Sequence, residues 1–447
     1  MEFEVLKKNH LKRNIVVGVV LVFIISAIIL NFTSAKYRVS DSVPIINSKI
    51  NYKVPDLNMV SVYIANEEGI YEEADIIPTS GYTLNTKESY CGISNNGEIV
   101  KDDTVSIVYV NSSVSVNNIT KKGTKCYFYF DTEEETSGES ILDNYPTVLT
   151  RNDFSTTVTN TTTGTIYKSL DDSQYDNDGE VYYFAGNPTD NWVQFGGFYW
   201  RIIRINGDGS IRLIYSGDSL SGPVTNGEAT QIGTSAFNGL INNNMYVGYM
   251  YENNQVHGFT TSSTIKMELD NWYEENLQSY ADKISIEAGF CGDREPSTSS
   301  DNSNGNGGIG EIWTHYGAYI RLVNGKNPTF KCQNDSDLYT VTNSSHGNHA
   351  LAYPIGLITA DDIAFAGGVV RTSNGYYYLN VNSLYWTISP WFYYGANGST
   401  VFNVNSEGSL VGSMSNASTL AIRPVINLSS DVTITGSGTS TDPYIVS

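Results

Sequence analysis

Short runs in which apolar and polar residues alternate, the pattern typical of β-strands, recur through the first third of the chain. Turn signals such as Asn95-Asn96-Gly97 separate these runs. The pattern predicts a small all-β domain over 45–131, a β-sandwich of the immunoglobulin type that serves as a spacer. True membership of the immunoglobulin class is not expected, because no tryptophan lies between Cys91 and Cys126. The alternating runs are 60–65, 81–84, 104–110 and 125–131.

The alternation stops over 132–178, where Ser, Thr and acidic residues follow one another without a periodic apolar pattern. This composition predicts a polar linker between two domains. The segment closes on Asp176-Asn177-Asp178-Gly179-Glu180, which resembles a calcium-binding loop in composition only. The flanking helices of an EF-hand are not predicted, so we expect a solvated turn at this position.

A second domain is predicted over 179–447, where strand patterns are interrupted by helical ones. The runs 198–205 and 211–215 flank a Gly/Asn/Asp turn and predict a β-hairpin. Apolar residues then recur at three- and four-residue steps, which predicts a helix that begins at a Ser263 or Thr264 cap. The apolar stripe of this helix, interpreted as core, is Ile265, Leu269, Trp272, Tyr273, Leu277, Tyr280 and Ile284.

A shorter helix is predicted over 360–366. Thr359 and Asp362 have the spacing of a capping box, and Gly367-Gly368 ends the helix. The rest of the chain, from Tyr376 onward, has the pattern of strands and loops. The predicted fold class is therefore α+β for this domain, preceded by the all-β sandwich and an N-terminal transmembrane helix.

The N-terminal segment predicts export. Basic residues such as Lys12 and Arg13 precede an uncharged apolar run over 15–30. The larger basic cluster comes first, which favours a cytoplasmic N-terminus and translocation of the rest of the chain. The run is slightly longer than the core of a signal peptide and slightly short of a typical spanning helix. We expect 1–36 to be a basic stub and single-pass anchor in the cell membrane; cleavage after Thr33-Ser34-Ala35 would give a secreted protein.

Composition and charge narrow the class of partner. Of the 447 residues only 16% are charged, against roughly 25% in ordinary soluble domains, and polarity comes from Asn, Ser, Thr, Gly and 32 Tyr. The 47 acidic and 26 basic residues give a formal net charge of −21. Because a polyanion would be repelled, we expect no nucleic-acid partner.

Four cysteines fall as one pair in each half of the chain. None belongs to a Cys-x-x-Cys motif, so a zinc ribbon or a thioredoxin-like site is not indicated. In an exported protein this arrangement predicts two local disulfides, Cys91–Cys126 and Cys291–Cys332.

Several segments of the second domain together resemble a known family. FGGFYWRIIRINGDGSIRLIY, LDNWYEENL, FCGDRE, LITADDIAFAGG, YWTISP and AIRPVINL are similar, in order and spacing, to bacterial surface proteins of Firmicutes type with a C-type-lectin-like fold. That fold is shared with the formylglycine-generating-enzyme superfamily. The resemblance covers 181–447. It implies a C-type-lectin-like scaffold that displays a variable C-terminal surface, as in binding proteins diversified by retroelements.

The stretch that matches the variable region runs over 385–419. Tyr and Trp offer large contact areas at low entropic cost, while Ser and Asn adapt their hydrogen bonds, so the composition is typical of a recognition surface. The alternative is that alternate residues of these strands pack inward. The candidate ligand-binding residues are Trp391, Phe392, Tyr393, Tyr394, Asn397, Ser399, Phe402, Asn403, Asn405, Ser406, Ser413, Asn416 and Ser418.

Known catalytic patterns are not found. No cysteine follows Cys332, which argues against formylglycine-generating chemistry, and the only close histidine pair is His346 and His349. The sequence has no Gly-x-Ser-x-Gly, phosphate-binding loop or His-Glu-x-x-His motif. We therefore expect no enzyme activity, no cofactor and no metal.

These patterns predict an exported, membrane-anchored adhesin or receptor-like protein that binds an extracellular protein or glycan through the C-terminal surface. Two alternatives remain open. One is a structural cell-envelope protein without a specific ligand. The other is a hydrolase of unrecognised type, whose two carboxylates need not be close in sequence.

Overall fold

The computed structural model divides the chain into two compact units, Met1–Glu134 and Glu135–Ser447. The predicted anchor over 1–36 lies outside the described residues. Within the residues that are described, no helix is both long and apolar enough to span a membrane. The described residues are 43–44, 57–66, 68–79, 81–95, 98–110, 113–119, 121, 123–132, 136–297, 313–395, 397–417 and 419–447.

The first unit is all-β in its described part. One sheet has the strand order β3-β2-β9-β5-β6, with β4 also paired to β9, and a second has the order β1-β8-β7. Strands β2 and β9 run parallel, whereas the other pairs are antiparallel. The strands are β1 (Val43–Pro44), β2 (Leu57–Ala65), β3 (Tyr71–Ala74), β4 (Tyr82–Leu84), β5 (Tyr90–Asn95), β6 (Glu98–Lys101), β7 (Ser106–Val110), β8 (Ser113–Asn117) and β9 (Thr124–Thr132).

Residues of both sheets share one core, as the alternating pattern predicts for a sandwich. Phe128 and Phe130 of β9 pack in one cluster with Val114 and Val116 of β8. The predicted Cys91–Cys126 disulfide is confirmed. It joins residues that lie opposite each other on β5 and β9, two neighbouring strands of one sheet. In immunoglobulin domains the disulfide instead connects the two sheets.

The second unit is mostly β with short helices. Its helices are α1 (Ser137–Leu142), α2 (Thr264–Asn276), α3 (Gly317–Tyr319) and α4 (Ala360–Ala366). Its strands are β10 (Thr147–Thr150), β11 (Thr161–Thr162), β12 (Thr165–Lys168), β13 (Tyr182–Tyr183), β14 (Asn187–Pro188), β15 (Trp192–Phe195), β16 (Phe198–Ile205), β17 (Ile211–Asp218), β18 (Gly233–Ser235), β19 (Met250–Tyr251), β20 (Thr261–Ser262), β21 (Phe290–Cys291), β22 (Trp313–His315), β23 (Leu338–Tyr339), β24 (Tyr385–Tyr394), β25 (Gly398–Val404), β26 (Leu410–Met414), β27 (Leu420–Ile422), β28 (Val425–Leu428), β29 (Ile434–Thr435) and β30 (Tyr444–Val446).

Two larger sheets organise the described part of the second unit. One is built around the antiparallel β16–β17 hairpin, with β13 and β15 against β16 and with β28 against β17. The other has the strand order β18-β27-β24-β25-β26, with β22 also paired to β24. Side chains of both sheets and of α2 and α4 share a single hydrophobic core. The second sheet contains the residues predicted to bind a ligand.

The prediction of a linker over 132–178 is wrong for the part that the structure describes. Residues 136–178 belong to the second unit, where β10 pairs with β12 and β12 with β13. Their buried apolar residues include Ile141, Tyr145 and Ile166, whose spacing follows neither a strand nor a helix period. The Thr-rich strand β10 lies at the end of the sheet with exposed side chains, so it has no alternating apolar pattern.

The two predicted helices are confirmed. Ser263 caps α2, which ends at Asn276, and the chain continues in a 3-10 helix over Gln278–Lys283. The interpretation of the whole stripe as core is wrong for Tyr280, which is 38% exposed, because the α-helical spacing ends at Asn276. Thr359 and Asp362 form the predicted capping box of α4, and Gly367 ends that helix in the left-handed region. The predicted hairpin and the Cys291–Cys332 disulfide are also confirmed.

Candidate functional site

The predicted ligand-binding residues lie on β24, β25 and β26 and their turns, but they do not form one exposed surface. Trp391 is 3% exposed, while Ser399 and Asn403 are fully buried. For these three residues the expectation of exposure is wrong, and the inward-packing alternative holds. Phe402 is buried as well, and Ser418 lies outside the described residues.

Trp391 is buried because of an irregularity in its strand. The register of β24 and β25 shifts between Pro390 and Phe392, so Trp391 has no opposite residue. Its indole packs on Phe402, with ring centroids 4.5 Å apart. Gly412 of β26 lies against the same indole, since a Cβ there would be 2.7 Å from Trp391 Cδ2. Trp391 therefore belongs to the core.

Ser399 fastens a loop to the sheet. Its hydroxyl donates a hydrogen bond to the carbonyl of Asn243, and its backbone N–H donates to the Ile241 carbonyl. The Ser415 hydroxyl donates a hydrogen bond of 2.9 Å to the Leu240 carbonyl of the same loop. The Tyr393 hydroxyl, on β24, donates one of 3.1 Å to the Asn242 carbonyl. These polar side chains position the 238–243 loop.

The other predicted residues are divided between the two ends of the three strands. Tyr394, Asn397 and Asn416 lie at the end where β24 turns into β25. Asn405 lies at the opposite end, where its Oδ1 accepts hydrogen bonds from the backbone N–H groups of Glu407 and Ser409 and so closes a turn. Ser406 is exposed in that turn, and Ser413 is half-buried on β26.

Asn403 stands apart from the other predicted residues. It lies opposite Trp386 in the middle of β25. Neither its Nδ2 nor its Oδ1 has a hydrogen-bond partner among the described residues. Nothing in the described part of the chain explains this buried amide.

A surface that the sequence did not reveal forms at the Tyr394 end. Trp313 of β22 lies directly opposite Tyr394 in the antiparallel pair, and their ring centroids are 3.4 Å apart. Both rings are half-buried. Leu240 is 49% exposed and Met414 is 48% exposed. We call this set the sheet-tip surface; its residues are Leu240, Trp313, Tyr394, Asn397, Met414 and Asn416.

The aromatic part of the sheet-tip surface rests on further rings. His315 lies opposite Phe392, and its ring centroid is 4.4 Å from that of Tyr319. Burial lowers the pKa of His315, so its ring is neutral at neutral pH and packs as an apolar group. Tyr319 in turn lies edge-on to Trp391, at 5.6 Å. The core residue Trp391 thus supports the surface indirectly.

A second feature is a polar crevice beside the β16–β17 hairpin, which has about 40 Å³ of space for water-sized groups. Arg212 of β17 lines the crevice and is 1% exposed. Its Nη1 donates to the Gly289 carbonyl at 3.1 Å, and its Nε lies 3.6 Å from Asp362 Oδ2. Burial lowers the pKa of Arg212 to about 10, and Asp362 partly opposes that shift.

The carboxylate of Asp362 serves two guanidinium groups, those of Arg204 and Arg212, both of which line the crevice. Asp362 Oδ1 lies 3.3 Å from Arg204 Nη1, while Oδ2 caps α4 by accepting from Thr359. The capping residue predicted from sequence is therefore also the counter-ion of two buried arginines. Sequence spacing could reveal the cap but not the arginines, which lie on a distant hairpin.

Three of the carboxylates that line the crevice have protein partners. Arg321 donates to both oxygens of Asp361, at 3.0 and 2.8 Å, and to Asp293 at 2.6 Å. Asp176 accepts hydrogen bonds from the backbone N–H groups of Asp178, Gly179 and Gly207. The acidic stretch over 176–180 is therefore attached to the hairpin turn. Among the described residues, no group of three His, Cys, Asp or Glu side chains has the geometry of a metal site.

The two histidines that lie close together in the sequence have different surroundings. His346 lines the crevice, with its Nδ1 3.5 Å from Glu287 Oε2. Glu287 also accepts hydrogen bonds from the hydroxyls of Ser344 and Ser345, at 3.1 and 2.7 Å. His349 is exposed in the same loop.

Comparisons of the chain with models of protein families, with curated proteins and with solved structures found no match.

Proposed function

We propose that this protein is an exported binding protein that recognises an extracellular partner through the sheet-tip surface. The observation that carries the proposal is the pairing of Trp313 with Tyr394, at the end of the sheet where Leu240 and Met414 are also exposed. Aromatic residues and Met are enriched in the centres of protein interfaces, whereas charged residues are depleted there. All six residues of the surface are uncharged, in a chain whose net charge is −21.

A protein partner is favoured over a glycan. Met414 presents a flexible apolar side chain, which suits a protein surface. Asn397 and Asn416 are exposed nearby and supply hydrogen bonds at the rim. A glycan remains the second ligand class, supported by the two aromatic rings alone.

Location outside the cell is part of the same proposal. Two disulfides are consistent with an oxidising compartment. The basic and apolar N-terminal sequence supports anchoring in the cell membrane, with the first unit as a spacer of immunoglobulin type. The second unit would be a C-type-lectin-like head, a proposal that rests on the segment resemblance. No cofactor enters the proposed recognition.

A hydrolase receives less support from the crevice. Asp293 and Asp361 are bound by Arg321, and Asp362 by two arginines. A glycosidase requires a carboxylic acid and a carboxylate that face the substrate. The carboxylates of this crevice are instead largely occupied by the protein.

The proposal is tested by a binding screen of the full chain, purified in detergent, against arrays of extracellular proteins and of glycans. We expect a protein ligand that the wild type binds and a Trp313→Ala/Tyr394→Ala double variant does not. The matched control is Tyr376→Ala, because Tyr376 is 75% exposed outside this surface. Binding of glycans but of no protein would change the proposed ligand from a protein to a glycan. Equal binding by the double variant and the wild type would refute the proposed surface.

A further inference from the structure

A cavity of about 330 Å³ lies beside the C-terminal end of α2 in the second unit. Its volume falls at the lower end of the range of roughly 300–1,000 Å³ that is usual for small-molecule sites. It shares no lining residue with the sheet-tip surface or with the crevice beside the hairpin. The cavity is therefore a separate feature with room for one small ligand.

Apolar residues from two parts of the chain form one portion of the cavity wall. Val341 and Leu351 are 8% and 3% exposed, and a parallel β-bridge joins them. Tyr353 stacks on Tyr273 of α2, with ring centroids 5.1 Å apart. All four residues line the cavity. Because contacts within the protein hold these side chains, the apolar wall is formed before any ligand arrives.

Three uncharged polar residues also line the cavity: Gln278, Thr342 and Asn343. Thr342 and Asn343 are the central residues of a turn, which the backbone N–H of Ser344 closes on the Val341 carbonyl at 3.1 Å. Gln278 begins the 3-10 helix that follows α2. All three are exposed, and their side chains form no hydrogen bond with the residues that the structure describes. Their donors and acceptors are therefore available to a ligand.

The charge of the lining narrows the class of ligand. None of the residues that line this cavity is charged, although 16% of the chain is. A charged ligand would lose hydration here without gaining a counter-ion, which is unfavourable. Carboxamide and hydroxyl side chains both donate and accept hydrogen bonds, as the hydroxyl groups of a sugar do. The C–H groups of a sugar ring match apolar residues such as Leu351 and Tyr353.

We propose that this cavity binds one neutral pyranose ring, either free or at the end of a glycan chain. The hydroxyl groups of the ring form hydrogen bonds with Gln278, Thr342 and Asn343, and its C–H groups pack on Leu351 and Tyr353. A few polar groups placed among apolar ones are the usual means by which a small-molecule site orients its ligand. The site gives the protein a binding activity that does not depend on the sheet-tip surface.

The test is a titration of the full chain, in a detergent without a sugar headgroup, followed by ligand-observed NMR. The ligands are the methyl glycosides of glucose, galactose, mannose and N-acetylglucosamine. Sorbitol offers the hydroxyl groups without the ring, and glucuronate offers the ring with a charge. We expect at least one methyl glycoside to bind with a Kd below about 5 mM and at least about tenfold more tightly than sorbitol or glucuronate.

A disaccharide that ends in the preferred sugar distinguishes the two sources of the ring. Binding at least as tight as that of the methyl glycoside supports recognition of a glycan end. Loss of binding supports recognition of the free sugar, because the second ring would then not fit.

The decisive variant is Gln278→Ala/Asn343→Ala, which removes two exposed side chains that form no hydrogen bond within the described part of the chain. It should bind the preferred sugar at least about tenfold more weakly and unfold at the same temperature as the wild type. Asn271→Ala is the matched control, since Asn271 is an exposed asparagine of α2 that does not line the cavity. Trp313→Ala/Tyr394→Ala should bind the sugar as the wild type does, so this inference and the proposed function can fail separately.

Three results would overturn the proposal. The first is that none of the methyl glycosides binds at about 20 mM. The second is that sorbitol or glucuronate binds as tightly as the best methyl glycoside, which would show that the cavity does not select a neutral ring. The third is that Gln278→Ala/Asn343→Ala binds the sugar as well as the wild type does.

Discussion

Trp391 lies flat against the backbone of Gly412 two strands away, at a distance that leaves no room for a side chain at position 412. A Cβ on Gly412 would be 2.7 Å from Trp391 Cδ2 and 2.8 Å from Cγ. The glycine therefore lets the indole stay in the core, where it supports Tyr319 under the sheet-tip surface.

Replacing Gly412 should show that the packing of Trp391 depends on a glycine at position 412. We expect Gly412→Val to lower the free energy of unfolding by about 1–3 kcal/mol, because the indole must shift and strand β26 with it. Chemical denaturation followed by tryptophan fluorescence measures the change. Gly375→Ala is the control, since a Cβ there meets nothing within 4 Å. Equal stability of Gly412→Val and the wild type would show that Trp391 is free to move.

Asp362 combines two stabilising roles, and their sizes can be separated. Thr359→Ala removes only the helix cap and should cost about 1 kcal/mol of unfolding free energy. Asp362→Ala also leaves Arg204 and Arg212 without their shared counter-ion, and should cost about 3–5 kcal/mol. Urea denaturation of both variants gives the comparison. Similar costs for the two substitutions would mean that the ion pairs contribute nothing.

His257 should make the stability of the second unit depend on pH. Its Nδ1 lies 3.1 Å from Asp337 Oδ2, and its Nε2 lies 3.2 Å from Glu295 Oε2. The contact with Asp337, above all, raises the pKa of His257, although burial and Arg294 oppose the shift. Since the folded-state pKa lies above the unfolded value of about 6.5, the stabilisation is complete below that pH. It is lost as the pH rises through the folded-state pKa.

Denaturation of His257→Gln at about pH 5.5 and about pH 8.5 tests this sign. The free energy of unfolding of the variant should fall further below that of the wild type at the lower pH than at the higher pH. His349→Gln, at an exposed histidine of another loop, should show the same small difference at both pH values. If the loss of unfolding free energy in His257→Gln instead grew with pH, the stabilising role of protonated His257 would be contradicted.

Local signals in the sequence predicted much of the fold. The cap and stripe of α2, the capping box of α4 and the β16–β17 hairpin each depend on residues close together in the chain. The cysteine pairs were predicted by their positions in the two halves of the chain. Such features need no knowledge of tertiary contacts.

The predictions failed where tertiary contacts decide whether a residue is buried or exposed. Residues 136–178 look like a linker because their few apolar residues, such as Ile141 and Tyr145, follow no strand or helix period, and only the folded structure shows these two to be core. Trp391 has the composition of a recognition residue, but the irregularity in β24 and the distant Gly412 bury it. Trp313 was missed because its importance comes from pairing with Tyr394, which follows 81 positions later in a different strand.

The central claim, recognition through the sheet-tip surface, is tested most directly by the affinity of Trp313→Ala for a partner found in the binding screen. Surface plasmon resonance should show a Kd at least about 30-fold weaker than that of the wild type, the loss of about 2 kcal/mol typical of a central aromatic anchor. Tyr376→Ala should bind as the wild type does. Unchanged affinity of Trp313→Ala, with the partner still bound by the second unit, would contradict the account and place recognition elsewhere.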